Sequence, residues 1–189
     1  MRSNLFKYLS NYYSMIQPQG IQWNDDVSVP FMQSIKEVIP HAVLLNKQVR
    51  LFAKKIEPLQ RCDDINCLAE CISKQILYME KRGITLIGFE MSDIVSINEG
   101  QYYVAINYER VMPYSDGMIR FLVPFVKPTF TAVQVQRLPA SVSYLTGRYS
   151  LGCLLLALMD VSLNSIRYTK LYWFIKRCIE TPGIGFYLV

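Results

Sequence analysis

The sequence predicts an α+β protein whose C-terminal part is mostly helical. Alternating apolar runs separated by turn residues near 42–56 and 94–108 point to two hairpins. Apolar residues at helical spacing behind Asp63-Asp64, and a nearly all-apolar stretch from Arg148 to Met159, point to two core helices. Hydrophobic residues make up 51% of the chain and charged residues 19%, a balance that supports a buried core and argues against disorder.

From the N-terminus, Leu5, Tyr8, Leu9, Tyr12, Tyr13 and Ile16 share one stripe and predict a short amphipathic helix over 2–16. Its aromatic and basic mix, with Arg2 and Lys7, suits a membrane or RNA surface, but docking on its own domain is the commoner fate of such a stripe. The stretch lacks the continuous apolar run of a signal peptide. Pro18 and Gly20 punctuate Gln17 to Asn24, which reads as a turn or linker. A second helix is expected over Pro30 to Ile39, with Phe31, Ile35 and Val38 inward and Pro40 stopping it. The runs from Ala42 and from Val49 to Ile56, with Asn46-Lys47-Gln48 between them, predict a β-hairpin, and Glu57 to Gln60 a crossover.

Asp63 and Asp64 are N-cap candidates for a long helix through Arg82, ended by Gly83. Ile65, Leu68, Ile72, Ile76 and Met79 line its inward face. Next come Ile84 to Phe89, an irregular stretch to Asp93, and a strand–turn–strand unit turning at Asn98-Glu99-Gly100. Pro113, Pro124, Pro128 and Pro139 break up 110–146 into a long segment with short extended pieces, a kind of segment often kept for function. A buried helix over Arg148 to Met159 and an amphipathic helix over Tyr168 to Ile179 complete the chain, the second ended by Thr181-Pro182-Gly183.

The net charge of +5 permits a nucleic-acid or anionic-membrane partner without requiring one. The basic pairs Lys54-Lys55, Lys81-Arg82 and Lys176-Arg177 are scattered and read as solvated faces or helix C-termini. Tyr12-Tyr13 and Tyr102-Tyr103 could stack bases, although aromatic residues serve cores equally well. The five cysteines are an odd number, and Cys153 and Cys178 sit in apolar stretches, so a reducing, intracellular setting is expected. Cys62, Cys67 and Cys71 with His41 lack the paired short spacings of structural zinc, and neither metal nor cofactor is expected. The apolar run Leu151 to Met159 is too short to span a bilayer.

The order of these elements resembles that of a protein kinase: hairpin, long helix, loop, second hairpin, proline-rich segment, buried helix, last helix. Behind Gly83-Ile84-Thr85, the stretch Leu86 to Val95 falls on the family's H-R-D-L-K-P-E-N-I-L, which puts Gly88 at the catalytic Asp, Glu90 at the Lys and Asp93 at the metal-binding Asn. The D-F-G site falls on Asn107-Tyr108-Glu109, and A-P-E on Ala132-Val133-Gln134. Gly147 to Gly152 matches the start of the buried helix, keeping Ser150-Leu151-Gly152 but with Gly147 where the family has Asp. The closing D-P-x-x-R falls on Thr181 to Gly185, so Gln134 and Gly185 replace both ends of a family ion pair.

The resemblance covers about residues 42–189 and implies a degenerate, N-terminally reduced pseudokinase, with a reduced lobe over 1–60 and a helical lobe over 61–189. Phosphoryl transfer needs a carboxylate base, charged metal ligands and a phosphate-holding Lys. Gly88 has no side chain, Asn107 offers a neutral carbonyl, and no Gly-rich loop precedes residue 50. Short chains of this kind also resemble products of large DNA viruses, which would imply the host cytoplasm, though no motif carries that likeness. The expected function is therefore a catalytically inactive interaction or regulatory module with a protein partner. Tyr114, Phe121, Phe125 and Phe130 are the candidate anchors, and Ser at 121 and 125 is expected to weaken binding without unfolding the chain. The alternatives are residual nucleotide or cation contact at Asp93 and Asn107, with Asp93 also suited to capping its own loop, and a basic structural or nucleic-acid-associated role.

Overall fold

Asp64 starts the longest helix by a mechanism legible in the sequence: its Oδ1 accepts the Cys67 N–H at 3.0 Å, filling one of the donors a helix start leaves open. In the computed structural model, which describes residues 18–23, 26–46, 48–133, 135, 137–183 and 186, this helix (α2) runs Ile65–Glu80, and Gly83 at φ +74° turns the chain out of it. The expected helix over 2–16, together with Gln134 and Gly185, lies outside the described residues.

The described chain is mixed α/β, with four α-helices and small antiparallel sheets. Before α2 come β1 (Pro18–Gln22), α1 (Val29–Val38), β2 (Val43–Leu45), β3 (Gln48–Phe52) and β4 (Ile56–Pro58). The hairpin β2–β3 forms as expected, with Val43 opposite Arg50 and Leu45 opposite Gln48. Residues 18–22, expected as a turn or linker, instead form β1, paired along β3 from Pro18 opposite Phe52 to Gln22 opposite Gln48. Pro18 and Gly20 disguise this strand, yet both fit it. An edge strand tolerates Pro as its first residue, and a Cβ on Gly20 would lie 2.3 Å from the Gln48 side-chain amide. The run read as one strand from Val49 to Ile56 is broken at Ala53. Its end and the expected crossover become β4, which leaves the first sheet to pair with β6 (Ile94–Ile97).

β6 and β7 (Tyr102–Ala105) form the second hairpin, with Asn98, Glu99 and Gly100 all at positive φ in its turn. Next, β8 (Val111–Pro113) pairs back onto β5 (Ile84–Leu86), so the two strands bracket the loop and hairpin between them. The proline-rich segment supplies a ribbon of β9 (Met118–Phe121) and β10 (Ala140–Ser143). Then follow α3 (Thr146–Leu158), a 3₁₀ turn at Leu163–Ile166, and α4 (Lys170–Glu180). A Cβ on Gly152 would lie 2.8 Å from Cys178 Cβ, so glycine is what lets α3 and α4 touch so closely.

One buried cluster runs from Ile21 to Phe186 and draws on α1, α2, β3, β7, α3 and α4. Inside it Gln75 acts as a polar rivet. Its amide donates to Ser34 Oγ (3.1 Å) and the Ala105 carbonyl (2.9 Å), and its Oε1 accepts the Ala105 N–H (2.8 Å). A buried amide so engaged costs little, and it fixes α2 against both α1 and β7. A second, smaller cluster of Ile87, Ile119, Phe121 and Val133 lies under the β9–β10 ribbon.

Candidate functional site

The loop from Leu86 to Asp93 is held on both sides by backbone. On one side β5 pairs with β8 and the Ile87 N–H reaches the Arg110 carbonyl at 2.9 Å. On the other, Phe89 and Phe130 exchange N–H···O bonds of 2.9 and 3.0 Å, and Thr131 Oγ1 donates to the Ile87 carbonyl at 2.5 Å. Glu90 joins in, its Oε1 accepting the Thr129 N–H at 2.7 Å.

This double pairing leaves no room above Gly88. A Cβ there would lie 2.5 Å from Pro128 Cγ, 2.6 Å from the Phe130 carbonyl oxygen and 2.8 Å from Thr131 Cβ. At φ +156° the backbone also favours glycine. The space into which a side chain at Gly88 would project is therefore filled by segment 128–131.

Asp93 and Asn107, fourteen residues apart, come together as the sequence suggests. Asn107 Nδ2 donates to Asp93 Oδ1 at 2.7 Å. The other carboxylate oxygen accepts the Glu90 N–H at 2.8 Å and Arg110 Nε at 3.3 Å, and both charged side chains are largely buried. The bond from Glu90 is the loop-capping role expected of Asp93. Asn107 itself caps the 3₁₀ turn Tyr108–Arg110, its Oδ1 accepting the Glu109 N–H at 3.0 Å. Tyr108 packs its ring 5.4 Å from that of Phe31, and Glu109 is exposed. A cation at Asp93 would have to displace the Arg110 guanidinium, which also donates to the Val126 carbonyl at 2.9 Å.

Gly147, where the kinase resemblance expects Asp, sits under β5, and a Cβ on it would meet the Leu86 carbonyl oxygen at 2.8 Å. Sequence reasoning passed over its neighbour. Arg148 reaches Glu80 through Nε (2.9 Å to Oε1) and its second terminal nitrogen (2.5 Å to Oε2), and donates to the Pro182 carbonyl at 2.8 Å. It also lies over the Phe186 ring, 4.8 Å from the centroid. The signal that could have found this pair is an acid on the core side of α2 and an arginine on an otherwise apolar helix, since such charges are buried only when paired.

The four candidate anchors are largely engaged inside the molecule. Phe121 is 2% exposed and stacks on Phe125 at 4.5 Å. Tyr114 donates to the Glu80 backbone carbonyl at 2.5 Å and stacks on Tyr144 at 4.6 Å, and Phe130 is half-buried beside Phe89. Replacing Phe121 by Ser would therefore empty the second core cluster, contrary to the expectation of an intact fold. The most exposed apolar residues of this segment are others: Leu122 (75%), Val123 (68%) and Val126 (79%). Beside Phe125 a cleft of about 310 Å³ is lined also by Pro124, Val135, Arg137 and Leu138.

Cys67 and Cys71 share a helix face, with sulfurs 3.9 Å apart. Burial, and then the neighbouring Cys71 thiol, push the Cys67 thiol up to about 12, and burial raises Cys62 and Cys71 as well. Protonated thiols are poor metal ligands. His41 is exposed, edge-on to Tyr102. Among the described residues, no group of three His, Cys, Asp or Glu side chains is placed to hold a metal ion, and no helix is long and apolar enough to cross a membrane. Comparison with protein-family models, with curated protein sequences and with solved structures returns no match.

Proposed function

We propose that the chain is a kinase-like domain without phosphotransferase activity that acts as a protein-interaction module. The kinase-like part of this reading is supported by the element order and by the meeting of Asp93 with Asn107, the two positions where the resemblance expects metal ligands. The non-catalytic part rests on the filled space above Gly88, where Pro128, Phe130 and Thr131 take the volume a catalytic carboxylate needs. Asp93 supports it as well, with both oxygens already committed to Asn107, Glu90 and Arg110.

Ligand binding tests the first half. A ligand that binds only the folded state raises the melting temperature as its concentration passes Kd. ATP with Mg²⁺ or Mn²⁺ is expected to leave the melting temperature unchanged. A metal-dependent rise that disappears in Asp93→Asn would instead establish the nucleotide-binding alternative.

For the partner, the exposed strip Leu122, Val123 and Val126, next to the cleft at Phe125, offers apolar surface to a protein that presents an apolar side chain. A photo-crosslinking residue at position 126 should capture a defined protein. Leu122→Ser with Val123→Ser should abolish that capture while leaving the melting curve unchanged. Equal capture by the double variant would reject this surface.

A further inference from the structure

A second cleft, far from these residues in sequence, opens where the 3₁₀ turn Leu163–Ile166 leads into α4. Its volume is about 520 Å³, and Asn164, Arg167, Tyr168, Tyr172 and Trp173 line it. Tyr168 is 86% exposed and Trp173 56% exposed, unusually high for rings of this size. Tyr172 and Trp173 stand edge-to-face at 5.0 Å, and the Arg167 guanidinium lies over the Tyr168 ring, 4.8 Å from its centroid. These rings are surplus to the core, because α4 already buries Phe174, Ile175 and Cys178 against it.

Among the described residues, the cleft holds one cation, Arg167, in a stretch without acids. From Val161 to Ile179 the chain carries Arg167, Lys170, Lys176 and Arg177 and no acidic residue. The flanking acids are Asp160 and Glu180; the Lys176–Glu180 ion pair cancels internally and Arg177 is half-buried, which leaves Arg167 and the exposed Lys170 as the cations nearest the cleft in sequence. Exposed flat rings, a guanidinium and a carboxamide in one cleft match the needs of one ligand class. Bases stack on rings whatever their identity, phosphates pair with cations, and an amide reads donors and acceptors on a base edge.

We propose that this cleft binds single-stranded nucleic acid. A base stacks on the Tyr168 and Trp173 faces, and Arg167 pairs with the adjacent phosphate. A membrane surface is the poorer fit. Lying on a membrane would require α4 to present its apolar face, and Phe174 and Ile175 of that face are buried in the core, leaving a recessed cleft in place of an apolar ridge. The proposal is independent of the interaction surface at 122–126, so either can fail alone.

The test uses the full chain and a short fluorescent oligouridylate, followed by anisotropy and by tryptophan emission. Trp23 is half-buried with its indole N–H bonded to the Ile106 carbonyl at 2.7 Å, so quenching by the oligonucleotide reports on Trp173. Binding should weaken with salt. Tyr168→Ala and Trp173→Ala should each cost about tenfold in affinity, and Trp173→Phe, which keeps a ring, should recover most of it. Arg167→Gln should lower the slope of log K against log salt by about 0.7. Because both aromatic side chains are exposed, the Ala variants should melt with the parent. Absence of binding at low salt overturns the proposal, and so does affinity unchanged in both Ala variants. Ring-dependent binding to phosphatidylserine vesicles without binding to the oligonucleotide would overturn it in favour of a membrane.

Discussion

Gly88→Asp, which puts a carboxylate at the position the kinase resemblance assigns to the catalytic base, is expected to destabilise the protein and to yield no phosphoryl transfer. Three costs act together at this residue. A non-glycine side chain is strained at φ +156°, by about 1–3 kcal/mol. Its Cβ would overlap Pro128 Cγ, the Phe130 carbonyl oxygen and Thr131 Cβ, at 2.5, 2.6 and 2.8 Å. The Phe130 oxygen cannot step aside without breaking the paired bonds to Phe89. Finally, the new carboxylate would face a carbonyl oxygen in a buried place, with no donor supplied for it. A total loss of about 4 kcal/mol corresponds to a fall of about 10 °C in melting temperature for a chain of this size. Gly88→Ala carries the first two costs without the charge and should fall between the parent and the Asp variant. Circular dichroism melts check the series. A melt of Gly88→Asp that superimposes on the parent, or any metal-dependent phosphorylation by it, would show that segment 128–131 does not close the site.

The second large effect is expected at Glu80 and Arg148. Both are largely buried, and the pair is bidentate, so it resembles the interior pairs whose loss is felt through the partner left behind. Arg148→Ala strands the Glu80 carboxylate, frees the Pro182 carbonyl and removes the cation over Phe186. It should cost about 3–5 kcal/mol in urea denaturation. Glu80→Leu alone strands Arg148 and should cost a similar amount. The double variant Glu80→Leu, Arg148→Met has no buried charge left and should be less damaged than the sum of the single variants by more than about 1 kcal/mol. Additive losses would mean that the two side chains act separately. Such an outcome would remove this pair as the clasp between α2, α3 and the chain at Pro182.

What the sequence determined by itself is the set of elements governed by local rules. Asp64 caps α2, Gly83 ends it, Asn98-Glu99-Gly100 turns the β6–β7 hairpin, and the apolar run after Arg148 makes α3. In each case the deciding physics acts within a few residues. It also placed Asp93 beside Asn107, though only through a resemblance in order and spacing.

Tertiary structure alone decided the rest, because there the deciding partner is remote in sequence. β1 is a strand only because β3 supplies its hydrogen bonds, and Gly20, which reads as a turn residue, is where the Gln48 side chain passes. Phe121 has the chemistry of an interface anchor, yet the β9–β10 pairing turns it onto Ile87 and Val133 and leaves Leu122, Val123 and Val126 outside. That Gly88 offers no side chain is legible in the sequence. That no space exists for one follows from the chain returning forty residues later to cover it. Alternation and helical spacing specify which residues are apolar, but which apolar faces meet is settled by the packing of distant segments.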